Sequence, residues 1–67
     1  MTPKEKKEFD TLEIEIPVLE IEKTEIERQL SSGELSTDEI LAASQRFSEL
    51  SNIIDEKTMR WLELSEL

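Results

Sequence analysis

The stretch LSSGELSTDE, residues 30–39, decides the fold because it ends one helix and begins another. Gly33, the only glycine in the chain, suits the left-handed conformation that commonly terminates a helix. Ser36 stands three residues before Glu39, which is the spacing of a capping box. A helix end followed so closely by a helix start predicts a short hinge over residues 31–36.

Apolar residues recur at spacings of three and four on both sides of this hinge, which is typical of a coiled-coil seam. Before the hinge the seam positions are Phe9, Leu12, Ile16, Leu19, Lys23, Ile26 and Leu30. After the hinge they are Ile40, Ala43, Phe47, Leu50, Ile54, Lys57, Trp61 and Leu64. The two lysines are best interpreted as register control, because a polar seam residue fixes alignment at some cost in stability.

The first helix has its own start signal. Thr2 and Glu5 have the spacing of a second capping box, and Pro3 stands at the first helical position, where its missing N–H costs nothing. Helices of about 3–30 and 37–66 follow. Folding the chain back at the hinge aligns the two seams over their full length, from the hinge to a facing pair of Phe9 and Trp61. The sequence therefore predicts an all-α fold, an antiparallel two-helix coiled-coil hairpin, with residues 1–67 forming a single domain.

Two other interpretations fit parts of the pattern. Two long helices can dimerise instead of folding back, because a single two-helix seam makes a small core. Residues 12–18 also alternate between apolar and polar, which is the period of a strand, although the chain offers no partner strand. Pro17 lies inside the first helix, off the seam, where it removes a backbone hydrogen bond.

Composition excludes most catalytic and membrane roles. The 67-residue chain has no cysteine, no histidine and a net charge of −9. We expect no enzyme activity, no metal site and no cofactor in this chain, because the usual ligands, general bases and glycine-rich phosphate loops are missing. The negative charge disfavours binding to phosphate or anionic lipid by the chain as a whole. With no signal-like or membrane-spanning segment, a cytoplasmic location is the default.

Basic residues cluster where the hairpin opens, near the two termini. In the hairpin this open end gathers Lys4, Lys6, Lys7, Lys57 and Arg60. It is the one candidate surface for nucleic-acid contact. The alternative is ordinary solvated charge, because acidic residues are interleaved with these cations.

An apolar stripe runs along the face of the first helix that points away from the seam. It consists of Ile14, Val18 and Ile21, spaced four and three residues apart. A contiguous exposed stripe predicts an interaction face, although scattered apolar residues on a surface are common.

The two ends of the chain carry a family resemblance. The opening KEKKEF (residues 4–9) and the closing RWLEL (residues 60–64) resemble the ends of the C-terminal coiled-coil domain of ABC-F type ATP-binding proteins. Phe9 stands where the family usually has leucine. The resemblance implies a C-terminal piece of a larger cytosolic ATPase tied to translation. It also implies that ATP and Mg²⁺ bind elsewhere in that parent protein, since no residue here matches the ATP-site motifs.

Two functions from different classes follow. The first is a non-catalytic accessory domain of an ABC-F type ATPase that contributes to association with nucleic acid (DNA or ribosomal RNA) or with the ribosome. The second is a protein-interaction or spacer coiled coil that docks on the parent ATPase or weakly self-associates. The resemblance favours the first, whereas the acidic composition favours the second for the isolated chain.

Overall fold

The computed structural model describes all 67 residues and contains two helices, α1 (Pro3–Ser32) and α2 (Thr37–Ser65). The helices pack against each other as an antiparallel pair in a rod of 48 × 15 × 14 Å. The predicted all-α hairpin is confirmed. The strand interpretation of residues 12–18 is wrong, because this segment lies within α1. The 3.6-residue period of the whole helix outweighs a local alternation that has no partner strand.

Both helices begin with the predicted capping boxes. The Thr2 hydroxyl accepts from the Glu5 backbone N–H at 3.2 Å, and the Glu5 carboxylate accepts from the Thr2 N–H at 2.9 Å. Ser36 and Glu39 repeat the arrangement with the same two distances. The backbone N–H of each cap residue lowers the pKa of the glutamate that it contacts. Each helix start therefore has two of its free N–H groups satisfied.

The hinge occupies residues 33–36 and depends on Gly33, whose backbone is left-handed at φ 74° and ψ 9°. α1 continues through Ser31 and Ser32, two residues beyond the expected end. The Ser32 hydroxyl donates to the Gln29 carbonyl at 2.7 Å and accepts from the Glu34 N–H at 3.3 Å. Ser32 thus closes the last turn before the glycine reverses the chain.

The core is a single line of side chains between the two helices. Leu12, Leu50, Ile54 and Leu64 are buried, and Leu50 and Leu64 have no exposed surface. The other seam residues are half-buried, apart from Ile40 next to the hinge, which is 43% exposed. Two helices cover only one side of each other, so a seam without a third layer leaves most of its residues partly open to solvent.

Aromatic contacts reinforce the seam near the open end and near the middle. The Phe9 and Trp61 rings stack with centroids 5.6 Å apart and planes inclined by 16°, which confirms that these two residues face each other. The ammonium group of Lys23 lies 5.2 Å from the centre of the Phe47 ring. This contact accommodates a charge on the seam, because the face of an aromatic ring attracts a cation.

Pro17 does not break α1, which runs without interruption through this position. The residue lies off the seam, so it does not disturb contacts with α2. Because proline has no N–H, the Glu13 carbonyl is left without its usual intrahelical donor.

Candidate interaction surfaces

A ladder of ion pairs closes one flank of the hairpin. Arg46 on α2 donates to both carboxylate oxygens of Glu22 on α1, at 2.7 and 3.3 Å. Arg60 does the same to Glu8, at 2.9 and 3.0 Å. Each guanidinium lowers the pKa of the carboxyl that it holds, because it donates hydrogen bonds to the charged form.

Lys57 supplies the middle rung of this ladder. Its ammonium group lies 2.8 Å from the Glu15 carboxylate, in a partly buried position. The three acidic partners Glu8, Glu15 and Glu22 are spaced by seven residues, so they lie along one edge of α1. The ladder therefore aligns the helices along the flank where it lies.

The opposite flank has the same acidic spacing and no basic partners. Glu13, Glu20 and Glu27 are also seven residues apart on α1, and all three are exposed and form no ion pair. The matching positions of α2 carry the short polar side chains Ser44, Ser51 and Thr58. One flank is thus neutralised by interhelical pairs, whereas the other keeps its negative charge.

A groove of about 410 Å³ lies on this unpaired flank. Its walls and floor are formed by Glu13, Ile16, Pro17, Glu20, Thr58 and Trp61. A second hollow continues along α1 from Pro17 and Glu20 past Ile21 to Thr24 and Glu25. Pro17 and Glu20 line both hollows, which therefore adjoin each other, and together they are termed the acidic groove; Ile16 and Trp61 are among its apolar lining residues.

The predicted cations differ in position and in partners, because Lys57 pairs with Glu15 along the rod whereas Arg60 pairs with Glu8 near the termini. Lys57 and Arg60 are engaged in the ladder, and Arg60 also contacts Glu63 at 3.1 Å. Lys6 makes an exposed pair with Asp10 at 3.4 Å, whereas Lys4 and Lys7 form no ion pair and are exposed. The free positive charge at this end is therefore concentrated on the first turns of α1.

The apolar stripe lies on the outer face of α1. Ile14 and Ile21 are each 70% exposed, and Val18 is 58% exposed. Because Ile21 also lines the second hollow, the stripe and the acidic groove adjoin each other.

Sequence reasoning missed the ladder and the groove. The apolar spacing gave the α1 glutamates no partner, whereas Glu15 and Glu22 bind across to α2. The ladder could have been predicted from the seven-residue spacing of the acids. This spacing had to be aligned with Arg46 and Arg60 after folding the chain back at the hinge.

No cluster of three or more acidic side chains is arranged to hold a metal ion. Neither helix combines the length and the apolarity that crossing a membrane requires.

A model of the family described as ABC transporter C-terminal domain matches residues 1–66. No curated protein and no solved structure matches the chain.

Proposed function

The chain belongs to the ABC transporter C-terminal domain family, and from this premise we propose that it is the non-catalytic C-terminal accessory domain of an ABC-F type ATPase in the cytoplasm. ATP and Mg²⁺ would bind to the nucleotide-binding domains of that parent protein. The hairpin would act as a stiff arm, because two packed helices joined by a short hinge move as one rod of 48 Å.

The arm contributes to association with nucleic acid or with the ribosome through its open end. The observation that carries this proposal is the group Lys4, Lys6 and Lys7, in which Lys4 and Lys7 form no ion pair and Lys6 is held only by a long exposed one. Ammonium groups that are free of carboxylates are available to phosphate oxygens, and each such contact releases a counterion from the nucleic acid.

Arg60 lies near this group and Lys57 lies farther along the rod, and both direct their donors at glutamates. They add positive potential at the open end, while Glu15, Glu8 and Glu63 offset it. We therefore expect Lys4, Lys6 and Lys7 to make the direct contacts and the two ladder cations to contribute less. With a net charge of −9, binding by the isolated chain is weak and local rather than spread along the rod.

The test is the affinity of the 67-residue chain for a short labelled DNA duplex and a short RNA duplex at low salt. The wild-type chain should bind at low salt and lose this binding as salt is raised. Replacing Lys4, Lys6 and Lys7 by Gln should abolish the binding at low salt. The matched control is Gln45→Glu, Ser48→Glu and Asn52→Asp, which lowers the net charge by the same amount on exposed positions in the middle of α2. Equal loss in both triple variants would contradict a specific contact at the open end.

A second candidate function is docking of the arm on the parent ATPase or on a second copy of itself. The observation that favours it is the exposure of Ile14, Val18 and Ile21 on one face of α1. Replacing Ile14 and Ile21 together by Glu should then reduce binding to the parent core, or remove any concentration-dependent increase in size. Leu41→Glu with Met59→Glu is the matched control, since both residues are exposed and apolar and lie on α2.

A further inference from the structure

We propose that the acidic groove receives a basic amphipathic helix from a partner protein, which packs beside α1 and α2 as a third helix. The partner would place apolar side chains on the floor of the groove and Lys or Arg residues against its glutamates. This site does not include Lys4, Lys6 or Lys7, and it calls for a ligand of the opposite charge to nucleic acid.

The apolar residues that line the groove are the reason to expect an apolar face on the partner helix. Ile16 and Trp61 belong to the seam, yet both remain half-buried because no third element covers them on this side. Trp61 already stacks on Phe9, so its ring is held in place and can receive a side chain without first becoming ordered. A large aromatic at the base of a groove is a typical anchor for a partner side chain.

The acidic residues along this edge of α1 are the reason to expect basic residues on the partner helix. Glu13 and Glu20 line the groove. Glu27 lies beyond it and continues their row along the same edge of α1, so the three acids span about 21 Å of helix at 1.5 Å per residue. They form no ion pair, whereas the equally spaced acids on the other flank are all engaged with α2. Cations repeated every seventh residue on a partner helix would meet these three carboxylates in turn.

The flank also has room for a third helix. The side chains of α2 that face this edge are the short Ser44, Ser51 and Thr58, so a neighbouring backbone can approach closely.

The negative charge of the groove determines which kind of ligand can bind there. A second copy of this chain would bring its own glutamates and its net charge of −9 against the rim, which like-charge repulsion disfavours. Nucleic acid and anionic lipid are disfavoured for the same reason. A positively charged helix with one apolar face satisfies the floor and the rim together.

The experiment uses the 67-residue chain and two synthetic helical peptides of about three heptads. The first peptide has Leu along one stripe and Lys at every seventh position beside it, and the second has Glu in place of each Lys. We expect the lysine peptide alone to bind, to change Trp61 fluorescence and to shift the amide signals of residues 13–27 and 58–61. If the lysine peptide does not bind, or if it shifts only signals outside these segments, the proposal is overturned.

Two variants of equal charge separate this site from general attraction. Glu13→Gln, Glu20→Gln and Glu27→Gln together should weaken binding about tenfold, because three exposed ion pairs to the peptide are lost and each contributes modestly. Glu34→Gln, Glu56→Gln and Glu66→Gln remove the same charge from exposed residues that form no ion pair and do not line the groove. Similar weakening by both sets would refute the site. Neither result depends on whether Lys4, Lys6 and Lys7 contact nucleic acid.

Discussion

Arg60 holds Glu8 through two parallel hydrogen bonds of 2.9 and 3.0 Å, and so joins the two ends of the chain across 52 residues of sequence. A planar guanidinium fits both oxygens of a carboxylate at once, whereas an ammonium group provides a single point of contact. The pair lies beside the Phe9–Trp61 stack, where both helices approach their termini. It therefore opposes fraying at the open end of the hairpin.

Replacing Arg60 by Lys should loosen this end while leaving the total charge unchanged. We expect faster amide hydrogen exchange in residues 4–12 and 57–64, with a melting temperature lower by a few degrees, because the forked contact is lost. Arg28→Lys is the control, since Arg28 pairs only with Glu25 on its own helix. If both variants show the same exchange at the open end, the pair does not hold the ends together.

Leu50 should matter far more for stability than an apolar residue of the outer face. Leu50 has no exposed surface, whereas Ile14 is 70% exposed. We expect Leu50→Ala to lower the free energy of unfolding by about 3 kcal/mol through lost burial and a residual cavity. Ile14→Ala should change it by less than about 0.5 kcal/mol. Urea unfolding followed by circular dichroism measures both, and similar losses would contradict the packing described here.

Substitution of Gly33 should destabilise the fold because of its backbone conformation, and not because a side chain lacks space. Its φ is 74°, and a Cβ placed there would meet no atom within 4 Å. We expect Gly33→Ala to lower the free energy of unfolding by about 1 kcal/mol, because a non-glycine residue is strained in the left-handed region. Gly33→Asn should cost less, since asparagine tolerates this region best among the other residues. Thermal unfolding of the two variants checks the order, and an equal or larger loss for Asn would refute the explanation.

Acid should remove the contribution of the ion-pair ladder to the stability of the fold. Arg60 and Arg46 lower the folded-state pKa values of Glu8 and Glu22 below the unfolded value of about 4.3. A carboxyl with a lowered pKa stabilises the fold above the unfolded pKa, and this stabilisation is lost as the pH falls through the folded pKa.

The difference in unfolding free energy between wild type and a Glu8→Gln, Glu22→Gln variant should therefore be largest at neutral pH and should shrink below about pH 4.3. This comparison cancels the separate effect of acid on the repulsion among the remaining carboxylates. A difference that stays constant from pH 7 to pH 3 would show that the two glutamates do not stabilise the fold through their charge.

Much of the fold could be predicted because it depends on local rules. Capping boxes, one glycine and a three-four apolar spacing are visible in the chain itself, and the stack of Phe9 on Trp61 followed from aligning the seams at the hinge. The exposed position of the stripe at Ile14, Val18 and Ile21 followed from the same helical period.

The difference between the two flanks was harder to predict. Glu13 and Glu15 look equivalent along the sequence, yet Glu15 meets Lys57 and Glu13 meets no cation. The outcome depends on which side chains of α2 reach each edge, and therefore on the rotation of both helices about their axes. The acidic groove also needed the shape around Pro17 and Trp61, which a periodic pattern does not describe.

The most direct test of the proposed function is an NMR titration of the 67-residue chain with a short nucleic-acid duplex at low salt. We expect shifts of the amide signals of Lys4, Lys6 and Lys7, smaller shifts near Arg60, and the loss of all of them as salt is added. Unchanged signals at these residues, or shifts that persist at high salt or lie elsewhere on the hairpin, would contradict a phosphate contact at the open end.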